Sequence, residues 1–106
     1  MKILITGGSG YIGSQLIKSL NKHKLLVILN KNSDTSFNYV DTCKLEDIKV
    51  IQKFKPEVVF HLAGYTSYEN DINTTKRLIN SNINFGVQLL NILKNSESCL
   101  FINTGS

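Results

Sequence analysis

The sequence is poor in the residues that build metal sites and disulfide frameworks. Its two cysteines, Cys43 and Cys99, lie far apart and form no C-x-x-C motif, which is typical of reduced thiols in a cytoplasmic protein. The two histidines, His23 and His61, have no cysteine or carboxylate at ligand spacing. We therefore expect neither a metal centre nor a disulfide to carry the chemistry of this chain.

Charge and hydropathy argue against nucleic acid and membranes as partners. The net charge of +4 comes almost entirely from scattered lysines, because Arg77 is the only arginine. No basic cluster is interleaved with aromatic residues, as a nucleic-acid groove requires. No apolar run approaches the roughly 18 residues of a membrane span, and a strand predicted from residue 2 leaves no room for a signal peptide.

What the sequence does contain is an alternation of strand and helix patterns over 106 residues, a length that fits one domain. Strands joined by helices pair in parallel through right-handed crossovers. We therefore predict an α/β fold, a Rossmann-type doubly wound parallel sheet of order 3-2-1-4-5, with ligands at the carboxyl ends of the strands. The predicted strands are 2–6, 25–29, 38–40, 58–62 and 99–102, and the predicted helices are 11–22, 45–54 and 74–95.

A glycine-rich turn joins the first predicted strand to the first predicted helix. Gly8, Gly10 and Gly13 fit G-x-G-x-x-G, and Gly7 with the last two also fits G-x-x-G-x-x-G. Free backbone N–H groups and the helix dipole make such a turn a pyrophosphate site, although a merely structural turn is the alternative. No lysine follows the last glycine, so this is not a Walker A loop. The predicted cofactor-binding residues here are Gly7, Gly10, Tyr11, Ile12 and Gly13.

The residues after the second predicted strand bear on the choice of dinucleotide. NAD-binding folds usually have an acidic residue near here for the ribose 2′-hydroxyl, but this chain has Asn30. Lys31 and Ser33 supply a positive charge and a hydroxyl suited to a 2′-phosphate. We therefore favour NADP slightly over NAD, the alternative being that Lys31 is simply a solvated loop lysine.

Residues after the other strands complete the predicted site. Asp41 and Thr42 follow the predicted third strand, where Asp41 either accepts from the adenine amino group or forms an Asx turn or helix cap. Small residues after the fourth strand allow the ligand to lie against the backbone. Those residues are Leu62, Ala63 and Gly64.

Two polar features flank this site. Asn82 lies on the apolar stripe of the long predicted helix, where a polar side chain needs a hydrogen-bond partner, and Gly86 suggests tight packing one turn on. Ser106, after the fifth strand, lies where a substrate carbonyl meets the nicotinamide. His61 is interpreted as a core histidine with a hydrogen-bonded ring.

Together these residues resemble the extended short-chain dehydrogenase/reductases, the NAD(P)-dependent sugar-nucleotide epimerase/dehydratase family. The resemblance covers the whole chain and rests on five segments. These are ILITGGSGYIGSQL, Asp41-Thr42, KPEVVFHLAG at 55–64, NSNINFGVQLLN at 80–91 and FINTGS at 101–106.

The resemblance implies an enzyme acting on a nucleoside-diphosphate sugar, for example in cell-surface polysaccharide synthesis, and a possible homodimer. It implies that the residue matching Ser106, with Thr104 as the other candidate, hydrogen-bonds the reacting hydroxyl or ketone, and that Asn82 supports the active site. The basic residue followed by serine after the second strand, Lys31 with Ser33, resembles the corresponding loop of NADPH-using members that reduce 4-keto-6-deoxy sugar nucleotides.

The family's general acid/base pair, Tyr-x-x-x-Lys, is absent from these 106 residues, as is the family's substrate domain. Proton transfer of this kind contributes roughly 10²–10⁴-fold in rate. We therefore expect the N-terminal, dinucleotide-binding part of such an enzyme, inactive alone. The alternative is a non-enzymatic NAD(P)-binding module, or a half-domain completed by a partner chain.

Overall fold

The computed structural model describes residues 1–8, 10–29, 40–63, 71–79, 83–94 and 99–103. These residues form a parallel sheet with helices on both faces. The strands are Lys2–Thr6 (β1), Lys24–Leu29 (β2), Asp41–Lys44 (β3), Val58–His61 (β4) and Leu100–Asn103 (β5). The helices are Tyr11–Ser19 (α1), Ile48–Phe54 (α2), Ile72–Ile79 (α3) and Phe85–Leu93 (α4).

The sheet confirms the predicted fold class and strand order. Its order is β3-β2-β1-β4-β5, and every neighbouring pair is parallel. In the centre, Leu4 of β1 pairs with Leu26 of β2 and with Val59 of β4. The order reverses between β1 and β4, so a crevice suited to a ligand opens at their carboxyl ends.

Each face of the sheet has its own core, because successive strand residues point to opposite faces. On one face, Leu4 and Val59 cluster with Ile51 of α2 and Leu89 of α4. On the other, Ile3, Ile5 and Val27 cluster with Ile17 of α1. Helix α1 is therefore fixed over the central strands, with its first turn at their carboxyl ends.

The predicted third strand, 38–40, is wrong in position. The strand begins at Asp41 and ends at Lys44, while residues 30–39 lie outside the described part of the chain. Only Cys43 of the four strand residues is buried. An end strand with one buried side chain has no apolar run, so its sequence resembles a loop.

Two helices begin at different residues from those predicted. Helix α2 begins at Ile48 rather than 45, because Asp47 turns the chain first: its Oδ2 accepts from the Lys44 N–H at 2.8 Å. It ends at Phe54, followed by Lys55 with φ of +52°. Helix α3 begins at Ile72 rather than 74, because Asp71 Oδ1 accepts from the Thr74 N–H at 2.6 Å.

The long helix predicted over 74–95 corresponds to two described segments, α3 and α4. A π-helical turn at Ile83 and Asn84 leads into α4, and residues 80–82 lie outside the description. Within the described residues, no helix is both long and apolar enough to cross a bilayer. No group of three or more potential metal ligands occurs there either.

Candidate dinucleotide-binding site

The glycine-rich turn connects the end of β1 to the start of α1 with four residues. Gly7 has φ of +72°, a backbone conformation that residues other than glycine rarely adopt. The turn closes with the Gly10 N–H donating to the Gly7 carbonyl at 3.1 Å. Helix α1 follows with its first bond from the Ser14 N–H to the Gly10 carbonyl, at 2.9 Å.

Two of the glycines are required by close backbone contacts. A Cβ on Gly13 would lie 2.1 Å from the Gly7 oxygen, and one on Gly7 would lie 2.7 Å from the Ala63 nitrogen. Among the described residues, a Cβ on Gly10 would come within 4 Å of the Gly7 oxygen alone, at 3.4 Å. The first helix and the fourth strand therefore both pack directly on the turn, and Gly10 keeps its outer side open.

The first turn of α1 presents backbone donors. In an α-helix, the N–H groups of Tyr11, Ile12 and Gly13 have no carbonyl partner within the helix. The N-cap is Gly10, which has no side chain to satisfy them, and the first turn contains no acidic residue. Three N–H groups and the positive end of the helix dipole thus form a site for an anion.

The end of β4 lies beside this turn. The Leu62 N–H donates to the Thr6 carbonyl at 3.2 Å, and the Ala63 N–H donates to Thr6 Oγ1 at 3.1 Å. The structure therefore brings Leu62 and Ala63 together with the glycine turn. It places Gly7, Gly10, Tyr11, Ile12 and Gly13 at one edge of the sheet with them.

His61 lies beneath this edge and is 4% exposed. Its Nδ1 is 2.7 Å from Thr6 Oγ1, and its ring centroid lies 5.4 Å from that of Phe85 and 5.9 Å from that of Phe101. Burial lowers its pKa below the ordinary 6.5, which favours the neutral ring. The structure thus agrees with the interpretation of His61 as a hydrogen-bonded core residue.

Asp41 and Thr42 lie in a different place from the one predicted. They do not follow β3 but begin it, paired with Leu26 and Val27 in the middle of β2. Asp41 lines a groove of about 550 Å³ with His23 and Lys24, at the amino end of β2. An adenine contact from Asp41 therefore finds no support in the strand geometry.

The carboxyl end of β3 is Lys44, paired with Leu29. The sequence pattern did not identify this residue as the end of the strand. The available signal was Asp47, a typical helix N-cap, because the strand must end before the turn that Asp47 closes.

Seven predicted site residues lie outside the described part of the chain. They are Asn30, Lys31, Ser33, Gly64, Asn82, Thr104 and Ser106.

A doubly wound sheet with a glycine-rich first turn defines a dinucleotide-binding fold. The chain belongs to the NAD dependent epimerase/dehydratase family, whose sequence model matches residues 3–106.

Two curated relatives illustrate the similarity. The chain is 31% identical over 113 residues to a dTDP-glucose 4,6-dehydratase of Haemophilus influenzae, covering 90% of this chain and 33% of that protein. It is 31% identical over 102 residues to a GDP-6-deoxy-D-talose 4-dehydrogenase of Aggregatibacter actinomycetemcomitans, covering 88% of this chain and 34% of that protein. The chain thus spans about a third of the length of these relatives.

A similar solved structure is a UDP-glucose 4-epimerase of Thermotoga maritima with UDP-glucose. Its TM-score is 0.81 at 27% identity, covering all of this chain and 38% of the epimerase. An epimerase of Stenotrophomonas maltophila with bound NAD has the same fold, with a TM-score of 0.81 at 22% identity, covering 100% of this chain and 37% of that one.

Proposed function

We propose that residues 1–106 are the NAD(P)-binding part of an oxidoreductase, epimerase or dehydratase that acts on a nucleoside-diphosphate sugar. The observation that carries the proposal is the glycine turn packed on Ala63 at the head of α1. The names of the relatives, which include a dTDP-glucose dehydratase and a GDP-sugar dehydrogenase, support the substrate class.

The pyrophosphate is assigned to the first turn of α1. The N–H groups of Tyr11, Ile12 and Gly13 donate to its oxygens, while the open side of Gly10 allows close approach. Leu62 and Ala63, with Gly64 next in sequence, border the same crevice. The dinucleotide supplies hydride acceptance or donation, and these residues bind and orient it.

The residues to which we assign the reaction at the sugar lie outside the described segments. We propose that Ser106 or Thr104 hydrogen-bonds the reacting oxygen and that Asn82 supports them. Strand β5 supports this, because its last residue, Asn103, pairs with His61 at the cofactor edge, just before Thr104. Without a Tyr-x-x-x-Lys pair, these 106 residues are proposed to be inactive alone.

The family is described as NAD dependent. We propose that this chain also accepts NADP and slightly prefers NADP to NAD. Lys31 and Ser33, which follow β2 with Asn30, are the residues proposed to meet a 2′-phosphate. The two free cysteines fit a reducing, cytoplasmic location.

The experiment is calorimetric titration of the chain with NADH and with NADPH, repeated with Lys31→Ala. The proposal predicts saturable binding of both dinucleotides, and a much greater loss for NADPH than for NADH in the variant. Absence of saturable binding would overturn the dinucleotide assignment. Equal losses would show that Lys31 does not contact the 2′-phosphate.

The second candidate is a half-domain that is completed by a partner chain. The partly exposed apolar residues on one face of the sheet support it. Leu100 is 61% exposed, and Val58, Phe60 and Ile102 are only partly buried. The register puts all four on the face of Ile3 and Ile5. In this second candidate, the partner chain packs on that face.

A further inference from the structure

The ends of β1 and β4 are joined by side-chain hydrogen bonds as well as by the sheet. Thr6 is fully buried at the last position of β1, where its hydroxyl oxygen accepts from the Ala63 N–H at 3.1 Å. The same oxygen lies 2.7 Å from His61 Nδ1. A continuous chain of contacts therefore runs from His61 through Thr6 to Ala63.

We propose that His61 is a positioning residue for the dinucleotide site, which holds the Thr6 hydroxyl where it fixes Ala63 against the glycine turn. The inference rests on the proposed binding of a dinucleotide at that turn. It assigns to His61 no contact with the cofactor and no proton transfer to substrate.

The geometry shows why the position of Ala63 matters to the turn. The Ala63 nitrogen and the Leu62 carbonyl carbon both lie 2.7 Å from the point where Gly7 would carry a Cβ. Backbone packed this closely leaves no room for the strand end to move alone. A shift of Ala63 therefore displaces Gly7, whose carbonyl in turn accepts from the Gly10 N–H at the mouth of the anion site.

The imidazole is held in one orientation by its neighbours. Phe85 and Phe101 flank the ring, and a Cβ on Gly86 would lie 3.4 Å from Nε2. Glycine at 86 thus lets α4 approach the ring closely. Burial lowers the pKa of His61 and so favours the neutral ring, in which Nδ1 either accepts from the Thr6 hydroxyl or donates to the Thr6 oxygen, according to the tautomer.

The test compares dinucleotide affinity with stability in two His61 variants. His61→Phe keeps an aromatic ring and removes the bond to Thr6, whereas His61→Asn places an amide near the position of Nδ1. We expect Kd for NADH to rise about tenfold in His61→Phe, the equivalent of one hydrogen bond, and to stay within about threefold in His61→Asn. The matched control is Val59→Ala, which truncates a fully buried residue of β4 in the core cluster against which Phe85 and Phe101 also pack, and which should lower Tm with Kd unchanged.

The outcomes separate this inference from the proposed function. If the unmodified chain binds no dinucleotide, the proposed function fails. If it binds and His61→Phe lowers Tm without raising Kd, His61 has only a structural role and the inference is overturned. Should His61→Phe not fold, Thr6→Val against Thr6→Ser gives the same comparison: only Thr6→Val should weaken binding, and equal affinities would overturn the inference.

Discussion

At Gly13, the hydrogen in place of a side chain allows α1 to lie on the glycine turn. A methyl group there would come within 2.1 Å of the Gly7 oxygen, so the backbone must move to admit it. At Gly10 the same methyl would meet that oxygen at 3.4 Å, and φ of −73° is open to any residue. Both positions are glycines of the same motif, but of the two only Gly13 lacks room for a Cβ.

We therefore predict different effects of the same substitution at these two glycines. Gly13→Ala should lower the free energy of unfolding by about 1–3 kcal/mol, as overpacking does. Gly10→Ala should cost under about 1 kcal/mol, mainly through a poorer N-cap. Urea denaturation of both variants measures the difference. Equal losses would show that the turn and α1 are not in the contact described.

His61 gives stability a dependence on pH near neutrality. Its folded pKa is lowered by burial, so between that pKa and the ordinary 6.5 the unfolded chain binds more protons than the folded one. The contribution is fully present above pH 6.5 and is lost as the pH falls below it. Thermal unfolding from pH 7.5 to 5 should show a falling Tm.

His61→Phe is the control for this pH dependence, because it removes the titrating group and keeps a ring. Its Tm should vary less over the same range. Asp71 titrates in a separate, more acidic window, since its hydrogen bonds to the start of α3 lower its pKa below 3.8. An unchanged pH profile in His61→Phe would contradict the assignment of this dependence to His61.

Among the elements, those with buried apolar runs were predictable and those without were not. The runs at Ile3, Leu26 and Val59 located the three central strands, and strand–helix alternation gave their order. Strand β3 was misplaced because only Cys43 is buried, so its pattern carries no alternation that distinguishes it from a loop. Burial at an end strand depends on neighbours distant in sequence, which local patterns do not encode.

The candidate site was also predictable only where its residues are close together in the sequence. The glycine turn combines strand, turn and helix signals within one short segment, so its position followed from local chemistry. The position predicted for Asp41, after the third strand, was wrong because β3 begins at Asp41 and ends at Lys44, whereas its contact with adenine stays a prediction. The contact of His61 with Thr6 joins residues 55 positions apart and has no local signal.

Helix α4 has an apolar stripe on its outer side. Val87 and Leu90 of this helix and Ile83 in the turn before it follow helical spacing, and their side chains are 59%, 50% and 56% exposed. We predict that this stripe contributes to a homodimer. Light scattering should show that Val87→Glu shifts a dimer to monomer, whereas Gln88→Glu leaves it unchanged. A monomer in the unmodified chain would contradict the prediction.

In the whole molecule, an anion site lies at the carboxyl ends of the central strands. This agrees with membership of the NAD dependent epimerase/dehydratase family. The chain spans about a third of the length of its relatives. Both central strands end at the anion site, and α1 begins there. The partly exposed face at Phe60 and Leu100 lies across β4 and β5, on the side of the sheet where α1 packs on Ile3 and Ile5.

We propose that the glycine turn binds the pyrophosphate of a dinucleotide, and Gly10→Val is the substitution that best distinguishes this role from a structural one. We expect saturable NADH binding by the unmodified chain and by Ser19→Ala, a substitution on the exposed last turn of α1. We expect loss of binding in Gly10→Val, with a Tm close to that of the unmodified chain. Unchanged affinity in a folded Gly10→Val protein would contradict this proposal.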